Sequence, residues 1–419
     1  MSPLGAAAVW AGAGIAGAVF LPALRLRRLA ALVPLLAFVA VLLVSVLPGV
    51  TLPTDTSPGA FHMDRTTQGL LMASAVSVVL MLILSPPAAG AEVRTLGIAG
   101  AAAVVALTSA HPVVMTLALL TAAAAVALRW IARAPGHTTL AAGRVAIAGG
   151  AILVAATAFL PVADVLAGPR PVVASALLAG GLATLLGLLP VGGWALGGML
   201  RLRGVEAAVW PLVVAPAALL VAQRIQLILP PLGVATFGHV ILTMGLLTAV
   251  WHGFQATRAA PGGRYARVLV ADLGLAAAAI GSGHTGLAQA GGLFLITCHL
   301  LMAPVLLQPP GQPDQRPRRL AWLLLSGVPP APSFWGRFLL LEGLSQVSAT
   351  VLTFTLVPMG LLFVASVLGA RGAAAGRVQA SDAPPARPAR LAAAWAAVAG
   401  AVAMGLFSTT AAAFIFGPT

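Results

Sequence analysis

The sequence predicts an all-α integral membrane protein with fourteen transmembrane helices, and three observations carry that prediction. Hydrophobic residues make up 60% of the 419 and charged residues only 8%, with a mean hydropathy of +1.03. Apolar runs recur along the chain that reach the roughly 17–25 residues needed to cross a bilayer. All 23 basic residues are arginine, and they gather at alternate ends of those runs. In lipid a spanning backbone must satisfy its own hydrogen bonds, so helices are expected. The alternating segments of about ten residues that would mark a β-barrel are absent from the sequence. Cys298 is the only cysteine, so an internal disulfide is excluded.

Fourteen segments follow in order, near 4–24, 29–50, 67–87, 94–110, 113–132, 143–166, 171–191, 206–228, 232–253, 266–282, 285–308, 319–343, 347–369 and 391–416. Together they make residues 1–419 a single polytopic membrane domain. The longer connections, 51–66, 308–318 and 370–390, are rich in polar residues and proline.

The net charge of +14 does not point to nucleic acid. The arginines are spread thinly over short loops rather than gathered in a patch. Nineteen of the 23 follow odd-numbered segments; only Arg65, Arg170, Arg224 and Arg337 do not. That asymmetry places odd-numbered loops in the cytoplasm and both termini on the outer side of a bacterial inner membrane.

Two segments are interrupted. Segment 7 carries LLGLLPVGGW around Pro190, and segment 12 carries SGVPPAPSFWG around Pro329 and Pro330. Proline removes a backbone donor and clashes with the preceding turn. Paired breaks five segments apart are the pattern of an inverted-repeat transporter, here segments 4–8 (residues 94–228) and 9–13 (residues 232–369). The freed carbonyls must face protein or a water-lined cavity. A plain kink in a packed helix is the alternative, stronger for Pro190 alone than for Pro329–Pro330, where Arg337 follows.

These residues resemble a known family. SGVPPAPSFWGRF is similar to the twelfth-helix signature GxPPxxGFxGKF of the antiporter-like membrane subunits of respiratory complex I and of Mrp antiporters, energy-converting hydrogenases and the DAB inorganic-carbon pump. FHMDRTTQGLLMASAV, GLATLLGLLPVGGW, LVVAPAALLVAQR, RYARVLVADLG and CHLLMAPVLL resemble its third-, seventh-, eighth-, tenth- and eleventh-helix motifs, in order. Asp64 falls in the family's third-helix aspartate position. Among the branches the chain looks closest to subunit N of NADH-quinone oxidoreductase. The resemblance implies a fourteen-helix fold, other membrane subunits and the lipid bilayer as partners, and protons or monovalent cations as the transported ions. It implies no cofactor and no redox centre in this chain.

The departures are as informative. The family's lysine positions are occupied here by Leu185, Pro216 and Ala303, and its seventh-helix histidine position by Gly192. The fifth segment has no acid, and the twelfth-helix lysine is Arg337. A relay group must gain and lose a proton; buried lysine can, and arginine effectively cannot. Arg337 therefore reads as a fixed charge. Its expected partner is Asp272 or water, with the interface or a neighbouring subunit as the alternative; Glu342, five residues on, lies too far around the helix. His299 and His239 are the titratable candidates in segments 11 and 9, each with a neutral packing role as its alternative. Asp64 suits a helix N-terminus, and Arg224 an interfacial anchor. The sequence offers no metal constellation, phosphate loop or nucleophile motif.

The expectation is an antiporter-like subunit of a multi-subunit proton-translocating complex, weakly conducting or non-conducting. The alternatives are the membrane subunit of an Mrp-type antiporter or DAB-type carbon pump, and a purely structural scaffold.

Overall fold

The structure, a computed structural model, describes residues 65–85, 90–165, 170–202, 204–283, 286–308, 315–375 and 388–408. Segments 1 and 2 and Asp64 lie outside these residues. The described chain folds into α1 (Arg65–Leu84), α2 (Gly90–Thr108), α3 (Pro112–Arg133), α4 (His137–Val165), α5 (Arg170–Leu185), α6 (Gly193–Arg201) and α7 (Val205–Val209). A π turn at Trp210–Val214 leads into α8 (Ala215–Ile228), followed by α9 (Pro231–Arg258), α10 (Pro261–Gly281) and α11 (Gly286–Leu306). The last are α12 (Arg316–Leu324), α13 (Pro332–Ser345), α14 (Ala349–Ala375) and α15 (Pro388–Leu406). Eight helical runs among the described residues are long and apolar enough to cross a membrane. The chain is an all-α, multi-pass membrane protein.

Segments 3–14 each find their helix. Segment 7 is α5 plus α6, segment 8 is α7 through α8, and segment 12 is α12 plus α13. Proline opens α3, α9, α10, α13 and α15, where its missing donor costs no intrahelical bond. Within segment 8, Pro211 and Pro216 sit inside a continuous helical run. There the ladder slips: the Ala215 amide reaches back to the Trp210 carbonyl, one residue further than in an α-helix. This run, Val205–Ile228, is buried from Val205 to Ala222 and exposes only Leu227 and Ile228, at its end.

The two halves pack alike. In each, consecutive segments lie side by side (4 with 5, 5 with 6, 6 with 7; 9 with 10, 10 with 11, 11 with 12), and the last returns against the first two. Glycine permits the closest approaches. On α9, a Cβ at Gly245 would lie 2.5 Å from the Gly274 carbonyl of α10, and one at Gly238 2.6 Å from that of Gly281. Between α11 and α13, a Cβ at Gly291 would lie 2.5 Å from the Leu340 amide. Seams of small residues are how membrane helices approach each other. A third approach joins them: a Cβ at Gly292 of α11 would lie 3.0 Å from the Ala276 Cα of α10, so α10, α11 and α13 form the tight group that carries the candidate site.

Candidate functional site

Each interrupted segment breaks in the same way. A helix ends, a glycine takes positive φ (Gly187 at 75°, Gly327 at 81°), a proline follows three residues later (Pro190, Pro330), and a new helix starts. The peptide bonds before Pro190 and Pro330 are cis, and Pro329 precedes the second of them. Positive φ is open to glycine at little cost, so both turns are written as Gly-x-x-Pro.

The second break holds the charged groups. Arg337 on α13 turns back to it: Nη1 donates to the Ser326 carbonyl at 3.0 Å. Nη2 donates to both carboxylate oxygens of Asp272 on α10, at 3.4 and 3.3 Å. Asp272 Oδ2 in turn shares a hydrogen bond of 2.7 Å with Nε2 of His299 on α11. All three side chains are buried, Asp272 completely (0% exposed). Ser333 closes the turn, donating to the Leu324 carbonyl at 2.5 Å and accepting from the Gly327 amide at 3.0 Å. Gly327 leaves room for the guanidinium: a Cβ there would meet Nη1 at 2.6 Å. Tyr265 packs its ring 5.9 Å from that of His299 and donates to the His299 carbonyl at 3.5 Å. On the side of α10's first turn, Tyr265 lines a cleft of about 480 Å³ with Gln308 and Arg318.

The charges balance within this group. Arg337 offers a cation, Asp272 an anion, and His299 adds a third hydrogen bond to the carboxylate. A buried ion needs this: an unpaired charge in a low-dielectric interior is far more costly than a paired one.

The first break is built from neutral parts. The Trp194 indole donates to the Thr184 carbonyl at 2.7 Å and the Trp210 indole to the Leu185 carbonyl at 3.1 Å. The two rings meet edge to face, 6.2 Å apart. The Leu189 amide donates to the Thr248 hydroxyl of α9 at 2.8 Å. Leu185, Pro216 and Ala303, the residues at the family's lysine positions, are all buried. Gly192 cannot carry a side chain, because a Cβ there would fall 1.9 Å from the Gly187 carbonyl. The cavity against these tryptophans holds about 10 Å³, the limit for one water.

Of the sequence candidates, the structure brings Arg337, Asp272 and His299 together and leaves two out. His239 is exposed on the outer face of α9, and Glu342 is exposed near the end of α13. Arg224 is more than an interfacial anchor: it donates to the Leu107 carbonyl at the end of α2, and to the Thr67 hydroxyl at 2.8 Å. The sequence reading missed Glu206. It is buried on α7 and takes Arg129 Nε from α3 at 2.6 Å, with Arg133 3.8 Å away. A lone acid among 60% hydrophobic residues was the available signal. Among the described residues no cluster of histidine, cysteine, aspartate or glutamate has a metal-binding arrangement.

No protein-family model matches the chain, and no curated protein matches it in sequence. Solved structures match the fold. A chain of respiratory complex I from Thermus thermophilus with bound NADH superposes with a TM-score of 0.75 at 17% identity, covering 98% of this chain and 97% of that one. A chain of the membrane-bound sulfane sulfur reductase, an archaeal respiratory membrane complex, gives 0.80 at 15% identity, over 98% and 96%. A chain of the Mrp complex from Dietzia sp. DQ12-45-1b gives 0.79 at 16% identity; 98% of this chain is covered but only 51% of that one. The fold is the one these chains of membrane complexes share.

Proposed function

We propose that this chain is an antiporter-like membrane subunit of a multi-subunit complex related to respiratory complex I, and that its own midplane path conducts protons weakly or not at all. Residues 94–228 and 232–369 form the two inverted repeats. Five segments is an odd number, so the second unit enters the membrane from the opposite face. The matched Gly-x-x-Pro breaks and the matched packing of the two halves support this. The shared fold favours complex I, Mrp and sulfane-reductase relatives about equally, so subunit N remains the finer reading from sequence. The partners are other membrane subunits, and the ions at stake are protons or monovalent cations.

The observation that carries the reading is the fixed charge at the second break. A relay needs a group that releases its proton, and arginine does not. Arg337 is also tied to Ser326 and Asp272. At the first break, tryptophan and threonine stand where titratable groups would be needed. His299 is bound to Asp272, and the family's lysine positions hold only the apolar side chains of Leu185, Pro216 and Ala303.

The test is proton translocation per turnover in the intact complex, with co-purifying subunits identified by mass spectrometry. Arg337→Ala is expected to lower the yield of assembled complex while the complex that does assemble keeps its stoichiometry. His299→Ala is expected to leave stoichiometry unchanged. Normal assembly with fewer protons per turnover in either variant would show that this chain conducts.

A further inference from the structure

The outer face of α9 has a composition that lipid does not explain. Its exposed residues follow one helical stripe: His239, Thr243, Leu247, Trp251, Phe254 and Arg258. The helix spans Pro231–Arg258, about 42 Å at 1.5 Å per residue, against a hydrocarbon core of about 30 Å. Centred in that core, His239 sits roughly 6 Å and Thr243 roughly 12 Å inside the apolar zone. Neither side chain has a hydrogen bond or ion pair among the described residues. Thr236 and Thr353, on this helix and on α14, return their hydroxyls to the carbonyl four residues back, at 3.0 and 2.8 Å. Thr243 makes no such bond.

Hydrocarbon tails offer no acceptor, and polar side chains at this depth ordinarily face protein or water. The flanking helices α5 and α14 turn apolar residues outward here, among them Leu177 and Phe354. The stripe ends at Arg258, whose guanidinium lies 4.2 Å over the Phe254 ring and is exposed. A second copy related by a two-fold axis would set Arg258 against Arg258 and imidazole against imidazole, on a chain already carrying +14.

Building on the reading of the chain as a subunit, we propose that this stripe is the contact with a transmembrane helix of a different subunit. That helix presents a hydrogen-bonding side chain at the depth of His239 and an acidic residue at the end where Arg258 lies. Hydrogen bonds between membrane helices are modest but directional. The His239–Thr243 pair therefore fixes the register, and the aromatic and leucine positions supply the packing.

The experiment places the photo-crosslinking residue benzoyl-phenylalanine at Leu247 in the intact complex in its own membrane, with the crosslinked peptide sequenced. The expected product is a membrane helix of a stoichiometric subunit that carries such an acceptor and acid. A product with lipid alone, or with a second copy of this chain, overturns the assignment. In parallel, His239→Leu should weaken retention of that subunit roughly 3- to 15-fold, the range of single interhelical hydrogen bonds, while His239→Gln retains it. His239 is exposed among the described residues, so neither variant should alter the fold of this chain within the complex. Unchanged retention in His239→Leu also overturns the proposal. A chain that purifies alone sinks the subunit reading itself, whereas an intact complex with a lipid-only crosslink sinks this face alone.

Discussion

The two breaks pose one backbone problem and answer it in two ways. Each interrupts a membrane helix and strands carbonyls inside protein. At the first, indoles from Trp194 and Trp210 and the hydroxyl of Thr248 supply neutral donors and an acceptor. At the second, a guanidinium supplies the donor, and its charge then requires Asp272, and Asp272 in turn takes His299. A neutral cap needs no counterion, and the cavity beside the first break holds only about 10 Å³, although Glu206 also lines it. A charged cap drags a polar network with it. The lesson is that a broken helix does not by itself make an ion path. What caps its carbonyls decides whether charge is present at all.

If that distinction holds, the largest effect belongs to Asp272. Asp272→Asn removes the anion while leaving Arg337 buried. Breaking a buried pair from one side costs about 3–5 kcal/mol. Thermal unfolding of the intact complex should show a loss of that order. The double replacement Asp272→Leu with Arg337→Met should recover most of it, because an apolar pair carries no desolvation penalty. A double variant no more stable than Asp272→Asn would mean that the break itself needs the cation.

A smaller effect is expected at the first break. Trp210→Phe keeps the aromatic packing and removes the indole donor. The Leu185 carbonyl is then left unsatisfied in a buried site, a loss of about 1–3 kcal/mol. No charge is exposed by this change, so the loss should be insensitive to pH, and unfolding measured across neutral pH would check it. A loss that changes with pH would mean that Glu206, which lines the same cavity as Trp210, is coupled to the first break.

The sequence made some of this legible and hid the rest for physical reasons. Segments 3–14 and both breaks are local properties of hydropathy and proline, and they were readable. Arg337, Asp272 and His299 each stood out as an ionisable residue in an apolar run. Asp272 was one of two expected partners for Arg337; that His299 joins them was not legible, because it depends on how α10, α11 and α13 rotate against one another. That rotation is set by seams such as Gly291 against Leu340. Faces were equally hidden. α9 is apolar nearly all round, so no stripe told that His239 points out of the bundle, whereas the spacing from Arg337 had already set Glu342 apart. Tryptophan gave no sign of its capping role, since indole donors serve interfaces and cores alike. Gly192 read only as a lost histidine. The structure adds that the turn at Gly187 leaves no room for any side chain there.

Thr248 offers the smallest and most local test. It belongs to α9, in the second half of the chain, yet its hydroxyl accepts the Leu189 amide of the first break and donates to the Met244 carbonyl at 2.6 Å. The first break is therefore capped from across the bundle by one oxygen. Thr248→Val preserves shape and removes that oxygen. The expected loss is about 1 kcal/mol, the net worth of one hydrogen bond, close to the limit of a thermal measurement. Hydrogen exchange reads it better, because opening of a single turn is local. The Leu189 amide should exchange faster in Thr248→Val, while Thr248→Ser holds it at the original rate. The turn around Gly327 should not respond, since its amide is held by Ser333 within the same segment. Faster exchange at both breaks would mean that the two are coupled through α9, and that treating them as independent solutions to one problem is mistaken.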